Sequence, residues 1–374
     1  MSGLGTAAGR EAAGREVAGH EAAERLADLR ADGPDEMGRE LAEGPAAVDG
    51  TLAAVEESRP EIDRLVAAAT RIVMVGTGAS LSMARVAAPS WLRAGLTVLV
   101  RQSTEAALGA DGETFRGDDA VVAISQSGGS PETLSATRRA RRAGCRVLTL
   151  TADGSSALAA LGDVAIVTPS GREAGAATKS ELSALAALFA IGKALPADAR
   201  SRSAIRDTLD AAVADWAAAA AFGPTLAASG RTWLVGLGMG AGIAGAAGLL
   251  WHEKVHQLAF PTTVSEFRHG PVEAATADDV VVLFDVDPAA EARERYLELL
   301  RGELERLGTR LVEVSPRPGA PAGLRIASPP GPEAALEALL RVQQLARATA
   351  HAAGRYVDGF RVLRAIVGAA PPLD

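Results

Sequence analysis

The sequence of 374 residues lacks features on which several classes of protein depend. Its single cysteine, Cys145, has no partner for an internal disulfide or a thiolate metal site, which fits a reducing cytoplasm. No uninterrupted apolar run approaches the roughly 18 residues of a membrane span, and the N-terminal segment has no apolar core of a signal sequence. A formal charge of −8 provides no basic surface for nucleic acid. We therefore expect a cytoplasmic protein that binds neither nucleic acid nor membranes.

The amino-acid composition is that of a folded chain, and the chain is long enough for two domains. Apolar residues make up 48% and charged residues 22% of the sequence, which is ordinary globular usage. At about 150 residues per domain, the length predicts two domains. Residues 1–36 repeat glycine, arginine and glutamate, which predicts a mobile or helical extension. We predict the first domain over residues 37–210, with a leading helix over 37–57, and the second over residues 211–374.

Short apolar segments alternate with helical segments in both halves of the chain. In the first half they predict strands at 71–75, 96–100, 120–124 and 147–150. In the second half they predict strands at 231–235, 280–284, 311–314 and 324–327. This alternation is typical of parallel sheets, so we predict an α/β fold of two doubly wound parallel-sheet domains in tandem. An alanine-rich helical stretch over 183–221, interrupted near Pro196, would connect them.

A run of hydroxyl residues follows the strand that is predicted to end at Ile124. The segment reads Ser125-Gln-Ser-Gly-Gly-Ser-Pro-Glu-Thr133 and leads into a helical segment. At a helix N-terminus, free backbone N–H groups and the positive end of the dipole attract an anion, and hydroxyls donate further hydrogen bonds. The alternative is a capped turn, because Ser and Thr are frequent N-cap residues. Four hydroxyls within nine positions favour a phosphate site.

Two glycine loops follow other predicted strands. Gly76-Thr-Gly-Ala-Ser80 lies where an open parallel sheet places its ligand loops. A dinucleotide fingerprint would need a further glycine where this chain has Leu81, so that interpretation fails. The segment Gly236-Leu-Gly-Met-Gly-Ala-Gly242 has many glycines, which favours close helix packing. The first of these loops therefore predicts ligand contact without a dinucleotide cofactor.

Three motifs together resemble the tandem sugar-isomerase (SIS) domain family. They are the 125–133 segment, Ala176-Ala-Thr-Lys-Ser180 and Glu266-Phe-Arg-His-Gly-Pro271, in the family's order. The family includes the isomerase half of glucosamine-6-phosphate synthase, related deaminases and ketose-aldose isomerases. The resemblance implies two flavodoxin-like three-layer domains, a phosphorylated amino sugar as ligand, and neither a cofactor nor a metal ion. Residues 1–36 are too few to form the glutaminase half of that synthase.

The resemblance also implies which residues bind the ligand. The phosphate would be held by Ser125, Gln126, Ser127, Ser130 and Thr133. The sugar would be contacted by Gly78, Ala79, Ser80, Ala177, Thr178, Lys179 and Glu266. For the 176–180 segment, the alternative to ligand contact is an ordinary helix start, and Lys179 could equally be a surface charge.

The catalytic pair implied by the resemblance is Glu253 and His269, sixteen residues apart as in the family. Glu253 would remove the proton from C2 of the sugar, since a partly buried carboxylate can be tuned toward the working pH. The alternative is a solvated glutamate on an alanine-rich helix. His269 would act in ring opening or in proton transfer between oxygens. In the family this histidine comes from the second subunit, which implies a homodimer with a shared active site.

The segment His252-Glu-Lys-Val-His256 also matches the H-E-x-x-H zinc motif. No convincing third ligand follows it, and the helix lies inside a sugar-phosphate framework. We therefore interpret His252 and His256 as residues that assist Glu253, contact the substrate or pack in the core.

Two departures from the family leave the reaction open. Leu250 stands where the isomerases carry a lysine three residues before the base, and segment 358–365 lacks the family's C-terminal lysine. Arg364 lies one place from that position, but a guanidinium stays protonated and cannot serve as a Schiff-base amine. After C2 proton abstraction, isomerisation, deamination and dehydration all remain open. A sugar-phosphate sensor or regulatory protein without turnover is the alternative from another class.

Overall fold

The chain, described by a computed structural model over residues 35–109, 115–317, 323–360 and 362, contains two five-stranded sheets flanked by helices. All the strand pairs of both sheets are parallel. Numbered within its own sheet, each follows the order 2-1-3-4-5, which is the flavodoxin-like order. The predicted α/β fold of two doubly wound domains in tandem is confirmed.

The first sheet and its helices come from the chain up to residue 191. The strands are β1 Arg71–Gly76, β2 Val98–Gln102, β3 Asp119–Ile124, β4 Arg146–Thr151 and β5 Val164–Val167. The helices are α1 Glu36–Glu57, α2 Arg59–Ala67, α3 Ala79–Arg93, α4 Ser103–Leu108, α5 Pro131–Arg142 and α6 Lys179–Ile191, with a 3-10 turn at Ala159–Leu161. Val73, Val122 and Leu148 are fully buried, as expected for central parallel strands covered on both faces.

Three helices lead to the second sheet, namely α7 Ala199–Ala214, α8 Trp216–Ala220 and α9 Gly223–Ala227. Its strands are β6 Thr232–Gly236, β7 Ala259–Thr263, β8 Val280–Phe284, β9 Arg310–Ser315 and β10 Gly323–Arg325. Its helices are α10 Met239–Leu250, α11 Val264–Arg268, α12 Glu291–Leu307 and α13 Pro332–Ala352, with a π turn at Trp251–Val255 and a 3-10 turn at Pro271–Ala274. None of the helices in the described ranges is both long and apolar enough to cross a membrane.

The eight predicted strands are all present, with bounds within two residues of the prediction. The two strands that the sequence did not predict, β5 and β7, both lie at sheet edges. β5 is only four residues long and mostly exposed or half-buried, and β7 contains Pro261, which an edge strand tolerates. Neither strand therefore shows the continuous apolar run that predicts the others.

The helical connection is interrupted near Pro196 as predicted, because α6 ends at Ile191 and α7 begins at Ala199. α6 and α13 are buried on almost every side, which fits their nearly continuous small and apolar sequence. α7 continues through the predicted division at 210/211, so the domain limits stay a prediction. The predicted N-terminal extension, apart from its last two residues, and Arg364 lie outside the described residues.

The two domains repeat the same contacts at an offset of 160 residues. Arg71 Nε donates to Asp119 Oδ1 at 2.9 Å, and Arg231 Nε donates to Asp279 Oδ1 at 3.2 Å. Each aspartate also accepts from a backbone N–H three residues earlier, at 2.8 and 2.9 Å respectively. The second domain is therefore a structural copy of the first, although few residues are shared.

The domains meet where α3 packs against α10. A Cβ atom added at Gly242 would lie 2.7 Å from the Val86 backbone, so only glycine permits this approach. The glycine-rich start of α10 therefore serves helix packing, as its composition predicted.

Candidate active site

The loop between β3 and α5, residues 125–130, lies at the carboxyl edge of the first sheet. Its turn is fixed by the Gly128 N–H, which donates to the Ser125 carbonyl at 3.0 Å, and by the Gly128 carbonyl, which accepts from Leu158 at 3.1 Å. Gly128 has φ +62, in the left-handed region, and a Cβ there would lie 2.1 Å from Ser156 Oγ. The fold therefore requires glycine at this point of the loop.

Replacing Gly128 by alanine is expected to lower the free energy of unfolding by about 3 kcal/mol, since left-handed strain and overpacking each cost about 1–2 kcal/mol. Gly95→Ala is the matched control, because Gly95 has φ +83 and open space around it. The control should lose about 1 kcal/mol in the same denaturant titration. Equal losses for the two variants would contradict the steric argument.

The start of α5 is not capped in the way that its serine suggests. Ser130 occupies the N-cap position, but its side chain makes no capping hydrogen bond. Its hydroxyl instead lies 3.0 Å from the Ser125 hydroxyl, and Ser127 Oγ accepts from the Gly129 N–H at 3.2 Å. The hydroxyls thus organise the loop, while the helix N-terminus keeps N–H groups for an anion.

Thr133 is one of the residues predicted to hold the phosphate. Its side chain is buried, and its hydroxyl lies 3.0 Å from the Ser103 hydroxyl at the start of α4. The Thr133 side chain therefore joins two helices beneath the loop. Ser125 is also buried, whereas Gln126 is exposed and Ser127 is half-buried.

Beside this loop lies a cleft between the N-terminal turns of α3 and α6. Of the predicted site residues, Ala79, Ser80, Gln126 and Ala177 line it, and Gly78 directly precedes the first of them. Parallel sheets with this strand order bind ligands where strands 1 and 3 diverge, which is where β1 and β3 deliver these residues. We call this space the first-domain cleft.

The structure adds two polar cleft residues from α6 that were not among the predicted site residues, Ser180 and Glu181. Burial raises the pKa of Glu181 well above its ordinary value, and the negative charges of Glu253 and Glu173 raise it further. A carboxyl group held in its neutral form therefore lines the cleft, and Glu253 is near enough for its charge to act on it.

Thr178 and Lys179, two of the residues predicted to contact the sugar, have side chains that bind other parts of the protein. Thr178 Oγ1 lies 2.7 Å from Glu40 Oε2 and 3.0 Å from Glu173 Oε1, and it is fully buried. Lys179, which is also buried, pairs with Glu43 on α1. Both side chains anchor α6 to its surroundings, so this turn offers the cleft only Ala177 and the residues of the following turn.

Glu253 lies on the π turn that extends α10, and it is partly buried. Burial raises the pKa of Glu253 to about 7, and the positive charge of Lys254 lowers it only in part. A carboxyl group with this pKa is divided between its two forms at neutral pH and can both accept and return a proton.

The next residue, Lys254, is fully buried, and nothing in the sequence pattern indicated its role. Its ammonium donates to the Ala174 carbonyl at 3.2 Å and to the Val357 carbonyl. Burial lowers the pKa of Lys254, while the negative charges of Glu40 and other carboxylates raise it. Lys254 thus joins the π turn to the loop before α6 and to the segment after α13.

His269 and Glu266 lie elsewhere in the second domain. His269 follows α11, and its side chain and that of Glu266 are exposed. Neither is among the residues that line the first-domain cleft of their own chain. The His252 ring lies 3.3 Å from the Ala259 carbonyl, and His256 has left-handed φ at the end of the π turn. The described residues contain no group of three or more His, Cys, Asp or Glu that could hold a metal ion.

The second domain has a carboxylate where the first domain has Ser127 in its hydroxyl loop. Asp287 is the counterpart of Ser127 at the offset of 160 residues, and its carboxylate accepts from the N–H groups of Met239 at 3.0 Å and Gly240 at 3.5 Å. Arg93 of the first domain reaches the same carboxylate at 3.3 Å. At the same offset, Met239 and Gly240 correspond to Ala79 and Ser80 at the start of α3, where the first domain has the neutral Ser127 instead of a carboxylate.

Comparison with known proteins identifies the first domain. Residues 65–193 match the SIS domain family. This segment therefore has a SIS-type fold. The second sheet has the same strand order, which supports a tandem arrangement of SIS-type domains.

Among curated proteins, the glutamine–fructose-6-phosphate aminotransferase (isomerizing) of Aeropyrum pernix is 32% identical over 266 residues. The matched region is 65% of this chain and 42% of that protein, so the chain spans less than half of its length. The similarity concerns the SIS-type region of this chain, and it relates the chain to the isomerase domain of such enzymes.

Solved structures of phosphosugar enzymes share the tandem SIS fold. Tagatose-6-phosphate ketose/aldose isomerase from Escherichia coli superposes with a TM-score of 0.76 at 21% identity, covering 88% of this chain and 97% of that chain. Glucosamine-6-phosphate deaminase from Thermotoga maritima gives 0.67 at 18% identity, covering 86% and 96%. These likenesses show the fold of the whole described chain.

Proposed function

We propose that this SIS protein is a cytoplasmic enzyme that converts an amino-sugar 6-phosphate, glucosamine or N-acetylglucosamine 6-phosphate, by removing the proton at C2. The observation that carries the proposal is the Glu253 carboxyl group, whose pKa burial raises to about 7 and whose charge raises the pKa of Glu181 in the first-domain cleft. Its relatives include an aminotransferase, an isomerase and a deaminase of phosphorylated sugars, which supports the substrate class.

The phosphate would bind at the 125–130 loop and the start of α5. The uncapped helix N-terminus supplies N–H donors, and Ser127 supplies a hydroxyl. In the second domain Asp287 stands where Ser127 stands in the first, and its carboxylate accepts from N–H groups at the start of α10, the counterpart of α3, which supports an anion between residue 127 and the start of α3. A carboxylate oxygen and a phosphate oxygen both accept hydrogen bonds from backbone N–H groups.

The sugar would extend from the phosphate along the cleft past Ser80 and Ala177. At the offset of 160 residues between the two domains, Glu253 is the counterpart of Arg93. Arg93 contacts Asp287 across the α3–α10 boundary. A two-fold relation between the domains would direct Glu253 toward Ser127 in the same way. Glu253 would then remove the C2 proton from the ring-opened sugar and leave an enolate.

His269 would open the sugar ring in the active site of a partner subunit, since it is exposed and apart from its own chain's cleft. The working unit would then be a homodimer. Leu250 is buried in the core, so the reaction would proceed without an ammonium group at that position.

A sensor that binds a sugar phosphate without turnover is the second candidate. The observation that favours it is the engagement of Thr178 and Lys179 in structural contacts, which leaves few polar side chains on the sugar. The raised pKa of Glu253 favours the enzyme, because a sensor has no need of a carboxyl group that titrates near pH 7.

The deciding experiment follows hydrogen exchange at C2 of glucosamine 6-phosphate and N-acetylglucosamine 6-phosphate and at C1 of fructose 6-phosphate. Each sugar is incubated with the protein in deuterated water and monitored by NMR and mass spectrometry. For fructose 6-phosphate the readout is deuterium at C1. Deuterium incorporation at C2 of an amino sugar, or conversion to product, is the expected result. Saturable binding of all three sugars without exchange would establish the sensor instead.

Replacing Ser127 by alanine should weaken the affinity for the phosphorylated sugar by about 10-fold or more, because a hydrogen bond to a charged group is lost. Ser203→Ala, on the exposed face of α7, is the control and should bind like the wild type. Isothermal titration with the substrate that shows exchange provides the measurement. An unchanged dissociation constant for Ser127→Ala would remove this loop from the phosphate site.

A further inference from the structure

The carboxyl group of Glu181 has no role in the proposed function, although it lies in the first turn of α6 and lines the first-domain cleft. Its side chain is only 4% exposed. Gln343 on α13 donates to Glu181 Oε2 at 3.2 Å and to the Thr178 carbonyl at 2.9 Å, which fixes the carboxyl in place. No lysine, arginine or histidine in the described ranges forms an ion pair with it.

A buried carboxyl group without a cationic partner keeps its proton at neutral pH, because ionisation would place an uncompensated charge in a dry environment. The pKa of Glu181 is raised accordingly, first by burial and then by the charges of Glu253 and Glu173. Glu253 is exposed enough to ionise near pH 7. One carboxyl group of the pair is therefore an acid when the other is a base, which is the arrangement that acid–base catalysis uses.

The reactions that the enolate can undergo differ in whether they need such an acid. In an isomerisation, the base that removes the C2 proton can return it to C1. Expulsion of the C3 hydroxyl needs a second group, because hydroxide leaves poorly and must be protonated as its bond to carbon breaks. A neutral Glu181 beside the same cleft supplies that group.

We infer that Glu181 donates its proton to the C3 hydroxyl of the bound sugar, so that the enzyme releases water and acts as a sugar-phosphate lyase. This inference rests on the proposed function. Glu253 takes the C2 proton, the electrons of the C2–H bond pass through the enolate into a C2=C3 double bond, and the C3–O bond breaks. The leaving oxygen takes the Glu181 proton and departs as water. Glu253 then releases its proton to solvent, Glu181 regains one, and the sugar has lost one water with no oxidant or reductant.

The test compares the wild type with Glu181→Gln, Glu253→Gln and Glu298→Gln, a control on the exposed face of α12. Glutamine at 181 keeps the shape of the side chain and an oxygen for Gln343, but it has no acidic proton. Each protein is incubated with glucosamine 6-phosphate and N-acetylglucosamine 6-phosphate in deuterated water. Mass spectrometry follows the loss of 18 mass units, and NMR follows exchange at C2.

The expected result is a product lighter by 18 mass units from the wild type and the control, and a fall of at least about 100-fold in that product for Glu181→Gln. This variant should still exchange the C2 hydrogen, which also shows that it is folded. Glu253→Gln should lose both reactions.

Two outcomes would overturn the role of Glu181 while leaving the proposed function intact. One is a wild-type protein that exchanges C2 but yields only a ketose or ammonia. The other is water loss by Glu181→Gln at the wild-type rate. Absence of C2 exchange in the wild type would overturn the proposed function itself, and the Glu181 step with it.

Discussion

Replacing Glu253 by glutamine is expected to lower the rate of C2 proton exchange by at least about 100-fold, the contribution typical of a positioned general base. Glutamine preserves the size and polarity of the side chain on the π turn but cannot accept the proton. Binding of the sugar phosphate should change little, since the proposed phosphate site lies on the 125–130 loop. Loss of turnover with retained affinity is therefore the signature that separates a base from a structural residue.

The pH dependence gives this prediction a second readout. A carboxylate acts as a base only when it is ionised, so kcat/KM of the wild type should rise with pH and reach half of its plateau near pH 7, where Glu253 titrates. An unperturbed glutamate would place that midpoint near 4.5. Glu298→Gln should keep the wild-type profile. A profile that is flat between pH 5 and 8 would contradict the assignment of Glu253.

Replacing Lys254 by methionine is expected to lower the free energy of unfolding by about 3 kcal/mol, because removing one partner of a buried charged network leaves the others uncompensated. The carbonyls of Ala174 and Val357 would lose their donor, and the buried Glu40 would lose the nearest positive charge. The π turn, the loop before α6 and the segment after α13 would also lose their common contact. We expect the C2 exchange rate to fall as well.

Lys193→Met is the matched control for this variant. Lys193 is 66% exposed at its side chain and pairs with Asp63 at 3.0 Å on the surface, where such pairs contribute less than about 1 kcal/mol. Denaturant titration of both variants, with midpoint and slope reported separately, provides the measurement. If the two variants unfold at the same denaturant concentration, Lys254 does not join these segments.

The sequence was sufficient to predict the parts of this protein that depend on local pattern. The strand from Asp119 to Ile124, the hydroxyl loop after it and the start of α5 are contiguous, so each is recognisable from its neighbours. The same is true of the glycine-rich start of α10, whose small residues fit against α3. The fold of two doubly wound parallel sheets follows from the alternation of such units.

The parts that could not be predicted depend on contacts between distant residues. Glu181 becomes a cleft carboxyl because Gln343, 162 positions away, holds it, and nothing beside it in the sequence indicates burial. Lys254 looks like a surface lysine until its carbonyl partners, 80 and 103 positions away, are known. The motif around Thr178 predicts ligand contact, whereas the partners of its hydroxyl lie on α1 and in the preceding loop.

The carboxylate of Asp287 at the start of α10 has a consequence for binding stoichiometry. A chain built from two copies of one fold could bind an anion in each copy, but in the second copy the carboxylate of Asp287 already accepts from the N–H groups at the start of α10. A titration should therefore saturate at one equivalent of sugar phosphate per chain. In a dimer, two equivalents rather than four would be bound. The two halves of the duplicated chain would then differ in their roles, since one copy receives the ligand and the other presents the groups that act on it.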